Sequence, residues 1–416
     1  MHSAFNSGIT IPDAGGCFSI SAQSLRAKEW RSINVLIIDE VICLHRRFIE
    51  AISHTFHHNI FVDDADRRSM GPFCGITVIV SGDPRQQLPI SPSANRQTLS
   101  SIGFHSSELF NLFEKFHLTE NVRIHPFVNI HHVDGTIQPL QQWILKVGDG
   151  VRQANDIDVD GRLFVNIPPQ FYCGDQVDVL LGHIYSRDDQ GLLSSCSDYF
   201  AARVILTPLY KDVQMINNKM LELYKQEGHT IYHVKSHDSL TGKFGDVEEA
   251  NQYSASLFPE HSLSLFIGCP VMCLRKYNDL LSNGDRAIVQ SISTYRLGLR
   301  LLTGQSAGKV VHLPRMLFTP TSKNLKIQMN RLQFGVVVAF AITVSKSQSC
   351  GFNNVGVWLN DHFFAHGHLY LALSRLHVKQ DGIFKLLFAS RQNFMLDDRG
   401  VFAMNTVYDE VLSSYK

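Results

Sequence analysis

The chain lacks an excess of charge of either sign, because 38 Lys and Arg residues balance 38 Asp and Glu residues. This balance neither favours nor excludes a nucleic-acid partner, and it requires any basic track to be local. Long apolar runs are also missing, so the sequence predicts no membrane span. Residues 1–16 have no basic stretch followed by an apolar core, which excludes a secretory signal there.

Cysteine is present but forms no binding motif. The eight cysteines are scattered, none forms a Cys-x-x-Cys pair, and Cys269 and Cys273 are the closest two. This pattern favours free thiols in a reducing compartment over a disulfide framework or a zinc site. The histidine pairs at 57–58 and 131–132 lack partners at ligand spacing, and we interpret them as surface residues, with metal binding as the alternative.

Five short apolar runs that end in polar or acidic residues predict an α/β fold. β-Branched residues dominate these runs, which is typical of strands buried on both faces of a parallel sheet. After the first run, apolar residues recur every fourth position from Leu44 to Phe56, which predicts an amphipathic helix. Strand followed by helix, repeated, indicates α/β architecture. The runs are VLIID (35–39), ITVIVSGD (76–83), ARVILTP (202–208), VVVAFAIT (336–343) and VGVWL (355–359).

The stretch 262–320 has a different pattern, with short alternating runs broken by turn signals. The Asn283-Gly284 pair favours a tight hairpin. We predict a small β-barrel-like insertion between two α/β stretches. Residues 236–258 are polar and poorly periodic, which predicts a loop or linker.

An acidic pair, Asp39-Glu40, follows the first apolar run. A carboxylate at the carboxyl end of a parallel strand faces the crevice where ligands bind in open α/β sheets. Asp39 can hold Mg²⁺ there, and Glu40 can orient or deprotonate an attacking water. The alternative is a strand that exits into solvent on two acidic residues.

A second strand-end motif is SGDPRQQLPI (81–90), in which Asp83 again follows an apolar run. Gln86 can donate to a phosphate oxygen and accept from a water, so it can sense a γ-phosphate. The alternative is a simple turn, because Gly82-Asp83-Pro84 is good turn chemistry. The pairing with Asp39-Glu40 favours the sensor.

Two arginines and a polar loop complete the candidate residues. Arg123 lies in HLTENVRI (117–124) and Arg375 in HLYLALSRLH (368–377). A planar guanidinium fits phosphate and stabilises charge on a transferring phosphoryl group, although each arginine alone is also typical of a surface or an ion pair. The loop AITVSKSQSCGF (341–352) crowds hydrogen-bond donors together, which suits a grip on a phosphate backbone or, alternatively, a solvated loop.

In order and character these stretches resemble the superfamily 1 DNA helicases of the petite-integration-frequency type, which include versions carried by Helitron transposons and relatives of bacterial RecD. The resemblance covers nearly the whole chain and is specific because eight matches occur in order. The matches are HSAF (2–5, end of motif Ia), LIIDEV (Walker B), GDPRQQLPI (motif III), LTENVR (motif IV), ILTPLYKDVQMINNKML (205–221, a helix of the second RecA-like domain), GCPVMCLRKYNDLLSNGDRAIV (268–289, the barrel insertion), FAITVSKSQS (motif V) and HGHLYLALSR (motif VI), with WILKVGDG (143–150) between them.

The resemblance implies two RecA-like P-loop NTPase domains, the first incomplete, with a small β-barrel insertion in the second. The implied division is a partial first domain at 1–135, the start of the second domain plus a linker at 136–258, the insertion at 259–325 and the rest of the second domain at 326–416. Such proteins clamp ATP between the two domains and move along single-stranded DNA, typically from 5′ to 3′.

The resemblance also implies roles for individual residues. Asp39 is the Mg²⁺ residue, Glu40 the water residue and Gln86 the γ-phosphate sensor, with Asp83 beside the nucleotide. The implied arginine fingers are Arg123 and Arg375. The implied DNA contacts are His2, Ser3, Thr343, Ser345, Lys346, Ser347 and Gln348.

The implied partners are ATP with Mg²⁺, single-stranded DNA and a DNA fork, and the resemblance implies a monomer. It also implies an intracellular location, the nucleus in a eukaryote with the mitochondrion as the alternative. Telomere maintenance, repair, recombination and transposition all use such motors, and the sequence does not choose among them. Two other readings stay open: a non-catalytic remnant that at most binds single-stranded nucleic acid, and an unrelated ATPase with the same acidic pair.

One family motif is missing, since no G-x-x-x-x-G-K-[ST] phosphate loop occurs among the 416 residues. TGKF (241–244) and GQSAGKV (304–310) do not fit the pattern and lie after Walker B. We therefore expect a truncated copy or a gene model begun at an internal methionine, with weak ATP binding and negligible hydrolysis by this chain alone. Ser349 stands where the family usually has glycine, which costs about 1 kcal/mol if the backbone there is left-handed.

Overall fold

The computed structural model describes most of the chain. The described residues are 15–91, 94–159, 161–187, 196–241, 246–253, 258–304, 306–320, 328–378, 383–390, 396–397 and 400–415. The predicted DNA contacts His2 and Ser3 lie outside these residues. No helix within the described ranges is long and apolar enough to cross a membrane.

The helices within these ranges are mostly short. The α-helices are α1 (Leu25–Ser32), α2 (Arg47–Thr55), α3 (Ala65–Ser69), α4 (Arg96–Ile102), α5 (Leu140–Gly148), α6 (Val177–Ile184), α7 (Ser197–Ala201), α8 (Tyr210–Gln226), α9 (Val247–Gln252), α10 (His368–Leu373) and α11 (Asp409–Ser414). A π-helical turn continues α2, and the 3₁₀ turns are Val41–Cys43, Phe104–Ser106, Glu108–Leu112, Pro169–Phe171 and Val344–Ser347.

The strands form two parallel and several antiparallel sheets. They are β1 (Val35–Ile38), β2 (Thr77–Val80), β3 (Asn129–His131), β4 (Ile137–Pro139), β5 (Ile157–Val159), β6 (Arg162–Ile167), β7 (Tyr172–Gly174), β8 (Arg203–Thr207), β9 (Tyr232–Lys235), β10 (His237–Leu240), β11 (Ser262–Leu265), β12 (Pro270–Cys273), β13 (Arg286–Ile292), β14 (Arg296–Leu301), β15 (Val310–Phe318), β16 (Met329–Phe334), β17 (Val336–Val338), β18 (Ala341–Thr343), β19 (Asn354–Leu359), β20 (Lys385–Ser390), β21 (Leu396–Asp397) and β22 (Gly400–Asn405).

The first parallel sheet pairs β1 with β2, and Val35 lies opposite Thr77. The prediction that these strands are buried on both faces is wrong, because Val35, Ile37 and Ile79 are 49, 61 and 49 % exposed. The opposite face carries Ile38, which packs into a core with the predicted amphipathic helix. That helix is confirmed as α2, although a 3₁₀ turn comes before it.

The second parallel sheet has five strands in the order β18-β8-β19-β20-β7. The predicted strands at 202–208 and 355–359 are confirmed here, and β19 is buried at every position. The predicted strand 336–343 is two strands instead. Val336–Val338 pairs antiparallel with β12, whereas Ala341–Thr343 pairs parallel with β8, so the chain passes from one sheet to another at Ala339-Phe340.

A seven-stranded antiparallel sheet has the order β10-β16-β15-β14-β13-β12-β17. The predicted tight hairpin at Asn283-Gly284 is wrong, because β12 and β13 are joined by residues 274–285. A turn does form there, since Gly284 has φ 87° and the Asp285 amide donates to the Ser282 carbonyl. The positive φ explains the glycine.

Residues 236–258 are not a simple loop, because they contain β10 and α9. Asp238 in β10 forms a buried ion pair with Arg331, at 2.7 Å between Oδ2 and Nη2. Arg331 also donates to the carbonyls of Ala250, Tyr253 and Pro259. One buried arginine therefore organises a segment whose own sequence carries no periodicity.

Separate apolar cores underlie the two parallel sheets. The core beneath β1 and β2 includes Tyr408 and Val411 from the C-terminal segment. Ile124 and Ile130 already belong to a core of the second sheet, which also contains most of α10. The chain thus crosses between the cores twice, once before Ile124 and once near Tyr408.

Candidate functional site

The ends of β1 and β2 are joined at Asp39. Its Oδ1 accepts from the Ser81 hydroxyl at 2.5 Å and from the Glu40 amide at 2.9 Å. The Val41 amide in turn donates to the Ser81 carbonyl at 2.8 Å. The two predicted strand-end motifs therefore meet at one edge of the sheet, as expected for parallel strands.

Glu40 has a left-handed backbone, with φ 54° and ψ 42°. A residue with a Cβ pays of the order of 1 kcal/mol for this conformation, which the surrounding contacts must offset. Its Oε2 is buried and has no hydrogen-bond partner within the described residues. Burial and then the Asp39 charge raise the pKa of Glu40, while Arg375 and Arg123 act in the opposite direction.

The loop after β2 is both a turn and part of the site. The Gln86 amide donates to the Asp83 carbonyl at 2.9 Å, and the Arg85 amide donates to Asp83 Oδ1 at 3.1 Å. Gln86 is buried, and its Oε1 lacks a partner among the residues described. Asp83 Oδ2 accepts from the Tyr370 hydroxyl at 2.6 Å, which ties this loop to α10.

Arg375 is fully buried and is not a surface arginine. Its guanidinium donates to the carbonyls of Leu371, Ser347 and Cys350 at 3.2–3.3 Å and to the Ser374 hydroxyl at 3.0 Å. Burial, followed by the nearby Arg123 charge, lowers the pKa of Arg375 to about 10. Arg375 therefore fastens the 341–352 loop to α10.

Arg123 lies beside Arg375 but is exposed. Its Nη1 donates to the Ser374 carbonyl at 3.2 Å, and its own carbonyl accepts from the Val378 amide at 2.8 Å. The two predicted finger residues thus converge, although they are far apart in sequence. Both charges act on Glu40 across the seam between the two cores.

The 341–352 loop is more buried than a solvated loop would be. Ser347 is fully buried, and its hydroxyl donates to the Val344 carbonyl at 2.7 Å. Burial lowers the pKa of Lys346 to about 8, and its Nζ lies 5.9 Å from the centre of the Tyr210 ring. Ser349 has φ 64°, so the left-handed backbone anticipated at this position is present.

The structure separates the predicted residues into two groups. Asp39, Glu40, Asp83 and the two arginines share one electrostatic environment. Thr343 and Lys346 instead line a cleft with Tyr210, Gln214 and Asn218 of α8. Gln348 lies between the groups, because its side chain reaches the thiol of Cys43 after β1, whose pKa burial raises to about 11.

Sequence reasoning missed two features. His366 and Tyr370 hold the loop after β2, and the sequence signal for them is the His366-Gly367 pair, which ends eight residues before Arg375 in the same motif. Residues 286–360 contain no Asp or Glu but carry Lys and Arg throughout. Three of these, Arg296, Arg300 and Lys309, are exposed on or next to β14. This is the local basic track that overall neutrality conceals.

A metal cage built by protein ligands alone is absent from the part of the chain that the structure describes. No group of three or more His, Cys, Asp or Glu side chains there is placed to hold an ion. Asp39 and Glu40 can supply only part of the oxygen shell of a Mg²⁺ ion, which usually keeps several waters and binds substrate phosphates.

Family models match two parts of the chain. Residues 1–158 match the PIF1-like helicase family, and residues 248–292 match the 2B domain of the DNA helicase Pif1. The chain is also 26% identical over 372 residues to the ATP-dependent DNA helicase PIF6 of Trypanosoma brucei brucei (strain 927/4 GUTat10.1). That alignment covers 85% of this chain but only 41% of the trypanosome protein.

Solved structures share the fold. The Bacteroides Pif1 helicase, crystallised with ADP-AlF3 and ssDNA, aligns with a TM-score of 0.58 at 20% identity, covering 92% of this chain and 76% of that one. The Pif1 helicase from Candida albicans aligns at 0.57 and 17% identity, covering 94% and 78%. Over residues 1–158 and 248–292 the chain is therefore similar to Pif1-type helicases. Its fold is the α/β fold with two RecA-like domains, as predicted.

Proposed function

We propose that this protein is an ATP-dependent DNA helicase that couples ATP hydrolysis to 5′-to-3′ movement on single-stranded DNA and to unwinding at a fork. The observation that carries the proposal is the meeting of three carboxylates and two guanidinium groups at one seam. Asp39, Glu40 and Asp83 come from the first core, and Arg123 and Arg375 come from the side of α10. Phosphoryl transfer needs both signs of charge, for the metal and for the phosphates.

The residues of the first core fit a Mg²⁺–nucleotide. Glu40 Oε2 and Gln86 Oε1 are buried oxygens without partners among the residues described, which is costly unless a ligand or water satisfies them. Asp39 would hold Mg²⁺, Glu40 would orient the attacking water, and Gln86 would contact the terminal phosphate. When bound, Mg²⁺-ATP supplies the phosphoryl group whose transfer drives the motor.

The two arginines would act differently. The guanidinium of Arg375 already donates to backbone carbonyls of the 341–352 loop, so its role is to couple that loop to α10. Arg123 donates from Nη1 to one carbonyl and is exposed, so its other N–H groups would be able to donate to phosphate. Arg123 is therefore the better candidate for the finger that stabilises the transition state.

Single-stranded DNA is the polymer we assign to the 341–352 loop and the basic track. Thr343, Ser345, Lys346 and Gln348 would supply donors to the DNA backbone, whereas the buried Ser347 hydroxyl donates to the Val344 carbonyl instead. Arg296 and Arg300 add positive charge on one face of β14, and the adjacent Tyr295 is 78 % exposed and free to stack on a base. The Bacteroides relative was crystallised with ssDNA, which supports this assignment.

A non-catalytic function is the second candidate, because the 416 residues contain no G-x-x-x-x-G-K-[ST]. Without that loop the phosphates lose an amide cradle and a lysine charge. This candidate predicts binding of single-stranded nucleic acid without turnover of ATP.

The test is ATP hydrolysis by the 416-residue chain with and without single-stranded DNA, using Glu40→Gln as the matched control. DNA-stimulated turnover that the substitution abolishes supports the helicase. Folded protein that binds the DNA but shows no turnover supports the non-catalytic candidate. Failure to bind DNA contradicts both.

A further inference from the structure

We propose that His366 is a positioning residue that sets the Asp83–Gln86 loop against the second RecA-like domain. The inference deepens the proposed function, since Gln86 is the residue assigned to the terminal phosphate. His366 acts on the loop through the Pro84 backbone.

Both ring nitrogens of His366 are used, each in a different way. Nε2 lies 2.9 Å from the Pro84 carbonyl oxygen, and the Tyr408 amide lies 2.9 Å from Nδ1. A carbonyl can only accept and an amide N–H can only donate, so the ring is neutral with its proton on Nε2. The imidazole therefore bridges the first-domain loop and the C-terminal segment from its own place in the second domain.

Gly367 makes the contact close. Its φ is 71°, and a Cβ built there would lie 2.1 Å from the Arg85 carbonyl oxygen. The His366-Gly367 turn thus packs directly on the loop backbone, and a side chain at 367 would push the loop away. The Gly367 amide donates to the Thr406 carbonyl at 3.0 Å, which fixes the turn from its other side.

Two further contacts flank the histidine. Tyr370 donates its hydroxyl to Asp83, and Arg85 Nε donates to Asp149 Oδ1 at 2.7 Å. Three consecutive residues of the loop are thereby held, Asp83 by α10, Pro84 by His366 and Arg85 by the residue after α5. His366 supplies the one contact of the three that grips the loop backbone.

The arrangement links the phosphate sensor to the arginines. α10 begins two residues after His366 and leads directly to Ser374 and Arg375, whose neighbour is Arg123. A shift of this helix would move the His366 contact and the arginines as one unit. The position of Gln86 and the position of the arginines are therefore set together.

Two substitutions separate the bonds of the ring. His366→Gln places an amide nitrogen near the position of Nε2 and keeps a donor for Pro84, whereas His366→Asn places an oxygen near Nδ1 and keeps only the Tyr408 bond. Hydrogen–deuterium exchange is then measured at the Arg85 and Gln86 amides, which are hydrogen-bonded within the loop. We expect exchange about tenfold faster in His366→Asn and close to wild type in His366→Gln.

The control is Glu410→Gln, which weakens the Arg96–Glu410 ion pair between the C-terminal helix and the first core but leaves the loop contacts in place. It should leave exchange at Arg85 and Gln86 unchanged. Equal exchange in wild type and His366→Asn would overturn the proposal, as would equal acceleration in the Asn and Gln variants. If His366→Asn unfolds the first core, failure of the Gln variant to restore protection would likewise overturn it.

Exchange is measured without nucleotide or DNA, so its outcome is independent of the proposed activity. In protein that hydrolyses ATP, His366→Asn should lower kcat about tenfold while leaving the KM for DNA unchanged, because the His366 bonds reach Pro84 and Tyr408 and none of the strand-binding residues. If the wild-type protein does not hydrolyse ATP, the helicase proposal is contradicted, whereas the positioning role of His366 inferred from the exchange experiment is unaffected.

Discussion

The two parallel sheets are built from the same kind of apolar strand, yet they are covered very differently. In the five-stranded sheet β8 is nearly and β19 wholly buried, whereas one face of β1 and β2 is open within the described residues. The carboxylates of the site follow the strands of the exposed sheet, β1 and β2, and the two arginines lie beside the well-packed core of the five-stranded sheet. The acidic half of the site is thus expected to open locally at lower free energy than the basic half.

The largest expected effect comes from a substitution in the well-packed five-stranded sheet. Leu206→Ala in β8 removes a fully buried side chain and should lower the free energy of unfolding by about 2–5 kcal/mol. Ile37→Ala in β1 should change it by less than about 1 kcal/mol, because that side chain is largely exposed. Denaturant titration of both variants measures the difference, and equal losses would contradict the contrast between the sheets.

The next effect separates the two arginines. Arg375→Ala removes the guanidinium donor from three carbonyls, of which those of Leu371 and Ser347 keep the Ser374 hydroxyl and the Cys350 amide, and it should destabilise the second core by about 2–4 kcal/mol. Arg123→Ala should cost no more than about 1 kcal/mol, since the side chain is exposed. Thermal unfolding distinguishes them, and a larger loss for Arg123→Ala would show that the assigned division of roles is wrong.

A smaller gain is expected in the polar loop. Ser349→Gly should stabilise the protein by about 1 kcal/mol, because glycine adopts the left-handed backbone at this position without strain. Ser345→Gly serves as the matched control and should give no gain. A neutral or destabilising Ser349→Gly would mean that the hydroxyl has a compensating role. Denaturant midpoints of the two variants provide the measurement.

The smallest effect concerns the acidic half of the site and depends on pH. The pKa of Glu40 is raised in the folded protein, so the protonated carboxyl favours folding below its ordinary pKa and this contribution is lost as pH rises through the raised value. Glu40→Gln should therefore raise Tm at neutral pH and have no such benefit in acid. Melting curves at several pH values test this, and a gain that grows toward low pH would contradict it.

Local patterns predicted local structure. Four of the five apolar runs contain one strand each at the expected place, since β-branched content and flanking polar residues are properties of the run itself. The meeting of Asp39 with Ser81 also followed from parallel strand ends. The burial of β1 could not be predicted, because it depends on which elements cover the sheet.

Features that depend on partners far away in the chain could not be predicted from the sequence. The run 336–343 is uniform in character, yet its halves pair with β12 and β8 in different sheets. Asp238 gains order from Arg331, 93 residues away, and His366 reaches Pro84 across 282 residues. No periodicity within a window of ordinary length carries such information.

Tyr408 and Val411 belong to the core beneath β1 and β2, and this placement has a consequence for biosynthesis. A ribosome releases this core's first strand hundreds of residues before its last apolar contributors. The five-stranded sheet has all of its strands available earlier, once β20 has emerged. We therefore expect the core beneath β1 and β2 to be completed only when the C-terminal segment docks, late in synthesis.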